Sequence, residues 1–191
     1  MSSRGVNHNE ELPEQIRRCL GSSKYIQLAT CYHDQPHSSL MTFTYVPAGQ
    51  ALPYEADDCI ILTTGESSKK YFNISSNPRV SLLVHDWTTN RQEADPDASS
   101  LCNLLYKMNQ AQFSTTAVSL NGLATVLPSG SEEDIFFRSK HIHTNDQGNT
   151  KQYVEGEGLR VIKVKLQSAR ISDQRLDHVV KWNAKGEETP F

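Results

Sequence analysis

Asp58–Trp87 reads D-C-I-I-L-T-T-G-E-S-S-K-K-Y-F-N-I-S-S-N-P-R-V-S-L-L-V-H-D-W, a strand followed by a loop, a helix and a second strand. The apolar run Cys59-Ile60-Ile61-Leu62 is long enough for a buried strand and too short for a useful helix, and Gly65 bounds it. Tyr71, Phe72 and Ile74 then alternate with polar residues across Ser67–Ser76, and Asn77-Pro78 closes that segment as proline closes helices. Val80, Leu82, Leu83 and Val84 restore strand character. The junction Thr63–Lys70 therefore joins a strand end to a helix start, where backbone N–H groups and the positive end of the helix dipole favour an anion. Ser67, Ser68, Lys69 and Lys70 add hydroxyl donors and charge, as a phosphate monoester requires. The spacing is not that of a Walker A loop. Pattern alone leaves two readings, a phosphate site or a solvated lysine pair on a surface helix.

Upstream, Leu12, Ile16, Cys19 and Leu20 mark a short amphipathic helix over Glu11–Leu20, with Gly21 at its expected stop. Lys24–Tyr32 and Ser39–Val46 flank the polar turn His33-Asp34-Gln35-Pro36 and read as a hairpin. Downstream, Thr88–Ser100 is polar and acidic, and Leu101, Leu104, Leu105 and Met108 follow at helical spacing, which predicts an inserted loop and helix at about 88–112. Thr115–Leu127 alternates as a strand does, with Asn121-Gly122 as a bulge or tight turn. Ser131 and Asp134 form a capping-box pattern that opens a helix through Ile135, Phe136 and Phe137. After a polar loop, Leu159–Ile171 reads as a half-buried strand. About six antiparallel strands in hairpin-like succession, with short helices, predict a mainly β fold in which the sheet closes into a barrel.

A chain of 191 residues, 37% hydrophobic, fits one domain over 1–191 around one core. Its formal net charge of -3 lacks the basic footprint of a nucleic-acid binder. The four cysteines, Cys19, Cys31, Cys59 and Cys102, are widely spaced and read as reduced core thiols. No apolar run approaches signal-peptide or membrane-span length, so the expected location is cytoplasmic, with nuclear entry by diffusion, and no membrane partner is expected. His141-Ile142-His143 places two histidines on different helix faces and is expected to be a plain helix end with no metal. His85-Asp86 is expected to be structural, because adjacent strand residues face opposite sides. Trp182 fits two roles, stacking on a ligand or covering the core.

Thr63–Trp87 as a whole resembles, without a gap, the segment [YT]-T-x-x-x-S-R-K followed by N-P-R-V-S-L-L and tryptophan of the pyridoxamine 5′-phosphate oxidase-like family. Gln35–Thr44 is similar to that family's second strand, and Val118–Ala124 and Phe136–His141 to its later strand and helix. The resemblance implies an FMN-binding split β-barrel, a homodimer that completes the flavin cleft across its interface, and FMN contacts at Thr63, Thr64, Ser68, Lys69 and Lys70, with Met41 and Thr42 beside the ring. It implies a flavin-dependent oxidoreductase acting on a small molecule, or alternatively a non-catalytic binder of flavin or a related phosphate ligand; deazaflavin or haem is a third option for the cleft. Several positions depart from the family pattern. Lys69 replaces an arginine, Ser39 and Thr44 stand where the enzymes carry arginine and lysine, and Ala117 stands at a flavin-binding glutamine. The tail after Ile171 also lacks the substrate motif R-x-H, which points to a relative of the oxidase and not to the oxidase itself.

Overall fold

The computed structural model describes residues 11–85, 116–145, 158–173 and 178–184. The expected insertion at 88–112, Trp87, Cys102 and Arg175 lie outside them. Among the described residues three helices, α1 (Glu14–Ser22), α2 (Lys69–Ser76) and α3 (Glu132–Asn145), accompany eight strands. The strands are β1 (Tyr25–Tyr32), β2 (Gln35–Thr42), β3 (Thr44–Val46), β4 (Cys59–Gly65), β5 (Arg79–His85), β6 (Thr116–Val126), β7 (Leu159–Asp173) and β8 (His178–Asn183).

All pairings are antiparallel, in the order β2-β1-β5-β6-β7-β4-β3, with β8 added to β7. The two ends of that order, β2 and β3, are separated in the chain by one residue, the fully buried Phe43. The sheet therefore has to curl until its ends meet at Phe43, which makes the half-barrel of a split-barrel fold. The expected single strand Ser39–Val46 is in fact β2 and β3, divided at that corner.

The strand count exceeds the six expected because of this division and because β8 forms on β7. The helix α1 runs through Gly21, whose missing side chain faces open space, and ends at Ser22. The hairpin turn is tighter than the sequence suggests. His33 and Asp34, both at positive φ, make a two-residue loop, and Pro36 already lies in β2, at the end of the sheet order where its missing N–H breaks no ladder.

Burial falls into two clusters on the two faces of β4. Ile60 and Leu62 join Ile26, Leu28, Leu82, Leu120 and Val164 inside the curl, while Cys59 and Ile61 pack with Val46, Phe137 and Val161 beneath α3. Burial on both faces explains why this strand reads as an unbroken apolar run. The expected irregularity at Asn121-Gly122 is a register shift between β6 and β7. Trp182, 5% exposed, packs in the larger cluster, which settles its role as core cover.

Candidate functional site

Two adjacent threonines end β4, and successive strand residues point to opposite faces. Thr64 turns toward α2, its Oγ1 2.8 Å from Ser68 Oγ. Ser68 is the N-cap of α2, accepting a hydrogen bond from the Tyr71 amide at 3.2 Å. That cap leaves the amides of Lys69 and Lys70 as first-turn donors at the positive helix end. Glu66, the one carboxylate in the loop, is ion-paired with Arg160. Neither Lys69 nor Lys70 has a carboxylate partner among the described residues, so the loop carries uncompensated positive charge. Lys69 is exposed and Lys70 half-buried, one helical turn from the buried Asn73 and Ile74.

Thr63 turns the other way, toward α3, with Oγ1 3.4 Å from His141 Nε2. His141 is fully buried and lies with Nδ1 2.9 Å from Thr44 Oγ1. The Asn145 amide donates to Thr44 Oγ1 at 3.1 Å and to the His141 carbonyl at 2.9 Å. These hydrogen bonds tie α3 to β3 and β4 through the buried imidazole. The expectation of a plain helix end at His141 is thereby corrected: the residue is a buried polar joint. Its signal was available, since Phe137, His141 and Asn145 continue the buried stripe of α3 at helical spacing. His143 is exposed, as expected of a helix end.

Met41 packs against the larger core cluster, while Thr42 points to the opposite face of β2; each is half-buried. Beside Thr44, a cavity of about 310 Å³ opens between β3 and α3, lined by Thr44, Tyr45, Gln50, Lys140, His143 and Thr144 among others. Tyr45 donates to Asp58, and burial followed by that carboxylate drives its phenol far above the usual range. The cavity and its Lys140 and His143 were not anticipated from sequence, because only the fold sets α3 against β3. Among the described residues no three His, Cys, Asp or Glu side chains are placed to hold a metal, and no helix is long and apolar enough to cross a membrane.

Residues 12–173 match the family model described as pyridoxamine 5'-phosphate oxidase. The chain is 77% identical, over 97% of its length and 98% of the relative's, to a protein of Schizosaccharomyces pombe described as a pyridoxamine 5'-phosphate oxidase homolog. Among solved structures, a heme storage protein from Vibrio cholerae superposes with a TM-score of 0.55 at 14% identity, covering 88% of this chain and 99% of that one. A chain described as an F420 reductase gives 0.53 at 21% identity, covering 85% of this chain and 100% of that one. At those identities the likeness concerns the fold.

Proposed function

The chain belongs to the pyridoxamine 5′-phosphate oxidase family, and from that premise we propose that it binds FMN and acts as an FMN-dependent oxidoreductase on a small molecule. The observation that carries the proposal is the loop before α2: hydroxyls of Thr64 and Ser68, first-turn amides, and two lysines with no carboxylate partner among the described residues, while Arg160 neutralises Glu66. This donor set fits a phosphate monoester. Lys69 and Lys70 would hold the phosphate, Thr64 and Ser68 its oxygens, and Met41, Thr42 and the backbone of Thr63 would flank the ring. Bound there, FMN would supply the redox chemistry.

The residues of the chain bind and orient. Lys69 offers a point charge in place of a bidentate guanidinium, so the hydroxyls and amides carry more of the directionality. The polar cavity beside Thr44 is the candidate substrate space, and its Lys140 and His143 suit a small acidic substrate. The tail lacks R-x-H, so pyridoxamine 5′-phosphate itself is not the proposed substrate, and FMN-saturated protein is expected to release no hydrogen peroxide from it at an enzymatic rate. The outer faces of β1, β2 and β5 present small residues, Ala29, Ser38 and Ser81, beside Leu40 at 65% exposure. That flat face suits a homodimer. Free thiols at Cys19, Cys31 and Cys59 suit a reducing cytoplasm.

Titration of the purified protein with FMN, riboflavin, F420 and haem, followed in the visible spectrum, tests the cofactor directly. Lys69→Ala and Lys70→Ala are each expected to weaken FMN by about one to two decades and riboflavin much less. Equal losses for both flavins, or preference for haem or F420, would overturn the proposal. Since a heme storage protein and an F420 reductase share the fold, those two ligands are the necessary competitors.

A further inference from the structure

Arg160 stands directly opposite Thr64 where β7 pairs with β4, so the two side chains leave the sheet on one face, with Cβ atoms about 5 Å apart. That face is the one on which Thr64 meets Ser68, the N-cap of α2. Thr63 and its partner Val161 point the other way, beneath α3. The chain just before β7 is tied to the loop as well, since the Glu66 amide donates to the Gly158 carbonyl at 3.1 Å. Strand register and loop together bring a guanidinium beside the hydroxyl-bearing end of β4.

Only one nitrogen of that guanidinium is engaged among the described residues. Its Nε donates to Glu66, and the two Nη groups donate to nothing there. A carboxylate held at Nε fixes the plane of the group and leaves its outer edge as a parallel pair of donors. The side chain is 27% exposed, so a ligand from solvent can reach it. Lys69 and Lys70 are point charges without a preferred direction, whereas the Nη edge matches two oxygens of a phosphate. Charge agrees with this arrangement. Lys69, Lys70 and Arg160 against Glu66, the single carboxylate of the loop, leave a surplus that a phosphate monoester dianion offsets.

We propose that Arg160 is the specificity-determining contact for a phosphate monoester at this site, acting through its Nη edge. Glu66 is its positioning residue: it orients the guanidinium and at the same time lowers the attraction of the loop for anions. This inference rests on the proposal that the loop before α2 binds FMN, and it adds a residue from a strand outside that loop.

Wild type, Arg160→Gln, Arg160→Lys and Glu66→Gln are titrated with FMN and with riboflavin, and the Tm of each is read without ligand. Arg160→Gln is expected to weaken FMN about tenfold, as loss of a charge-assisted contact does, and to leave riboflavin within twofold. Arg160→Lys keeps the charge but loses the paired donors, so FMN is expected to stay about fivefold weaker than in wild type. Glu66→Gln keeps an oxygen for Nε and removes the opposing charge, so FMN is expected to tighten about threefold while riboflavin is unchanged. A pair that served only to tie the loop to β7 would respond with one sign. Arg160→Gln and Glu66→Gln would then both lower the Tm and weaken the two flavins together, and that result would overturn the inference. Wild-type affinity for FMN in Arg160→Gln or Glu66→Gln, or full recovery in Arg160→Lys, would overturn it also; a selective loss of FMN in Lys70→Ala would still leave the proposed function standing. Failure of the wild-type protein to bind either flavin would sink both.

Discussion

Thr63 and Thr64 are neighbours on β4 whose hydroxyls leave the strand in opposite directions, one 3.4 Å from His141 of α3 and the other 2.8 Å from Ser68 at the start of α2. The pair therefore joins two helices that approach the strand from different faces. A ligand seated on the α2 side meets the Thr64 hydroxyl, while the Thr63 hydroxyl belongs to the buried joint beneath α3.

Valine substitution should separate these roles. Thr64→Val removes the hydroxyl that orients Ser68 and is expected to weaken FMN about fivefold, with little loss of stability, as one neutral hydrogen bond would. Thr63→Val replaces the buried hydroxyl beside His141 Nε2 with a methyl group and is expected to cost about 1–3 kcal/mol of stability with a smaller effect on FMN. Isothermal titration and urea unfolding, run on both variants, read the two effects independently. An affinity loss shared equally between them would contradict the division.

Replacement of His141 tests the joint itself. His141→Ala opens a cavity and strands the groups of Thr44 and Asn145 at once, and is expected to destabilise the protein by about 2–5 kcal/mol. His141→Gln keeps one donor and one acceptor and should recover part of that loss. Equal destabilisation by both variants would mean that ring volume, and not hydrogen bonding, is what α3 requires.

How far the sequence foretold this arrangement depended on whether the signal was local. The β4–α2–β5 segment was legible because an apolar run, a capped helix and a proline follow one another within a few residues, and the Ser131 cap is realised as written, its hydroxyl 3.1 Å from the Asp134 amide. The corner at Phe43 was not legible, since nothing in Ser39–Val46 marks where a continuous β pattern must leave one end of the sheet and rejoin the other. The strand β8 was missed for a similar reason: it is defined by its register on β7, with Trp182 opposite Ala169. Taken with His143 alone, His141 reads as a plain helix end; the informative neighbours are Phe137 and Asn145, four residues away on either side.

Gly122 is the residue on which the β6 bulge depends. A side-chain carbon there would run into the Lys165 carbonyl oxygen and lie 2.8 Å from Val164 Cγ1. The carbonyl is backbone in a paired strand and has nowhere to retreat, so Gly122→Ala is expected to cost more than about 2 kcal/mol, as overpacking against a rigid neighbour does. Thermal unfolding would show it. Gly21→Ala, on the exposed side of α1 with open space at its Cβ, is expected instead to stabilise by about 0.5–1 kcal/mol.

Alkaline pH should unfold the protein from the α3 side. Burial pushes the Cys59 thiol up to about 12, and Glu55 adds to the shift. Tyr45 is raised further, by burial and then by its bond to Asp58. Lys163 is raised although burial alone would lower it, because Glu133 at 2.8 Å and Glu55 outweigh that effect; Lys165 is raised chiefly by its bond to Asp57. All four shifts have the same sign. Each group is held in its protonated form by the fold, so its contribution to stability is complete below its unfolded pKa and is lost as pH rises toward the folded value. For Cys59 that window runs from its ordinary value of 9.0 to about 12. Stability is therefore expected to be level below pH 9 and to fall steadily above it, with Cys59→Ala flattening the first part of the decline. Urea midpoints taken at half-unit steps from pH 8 to 11 measure the slope, and alkylation supplies a second readout: at pH 8 in the folded protein, half-buried Cys31 should react with iodoacetamide well before buried Cys59. A stability maximum above pH 10, or early labelling of Cys59, would show that the thiol is not held protonated in the core.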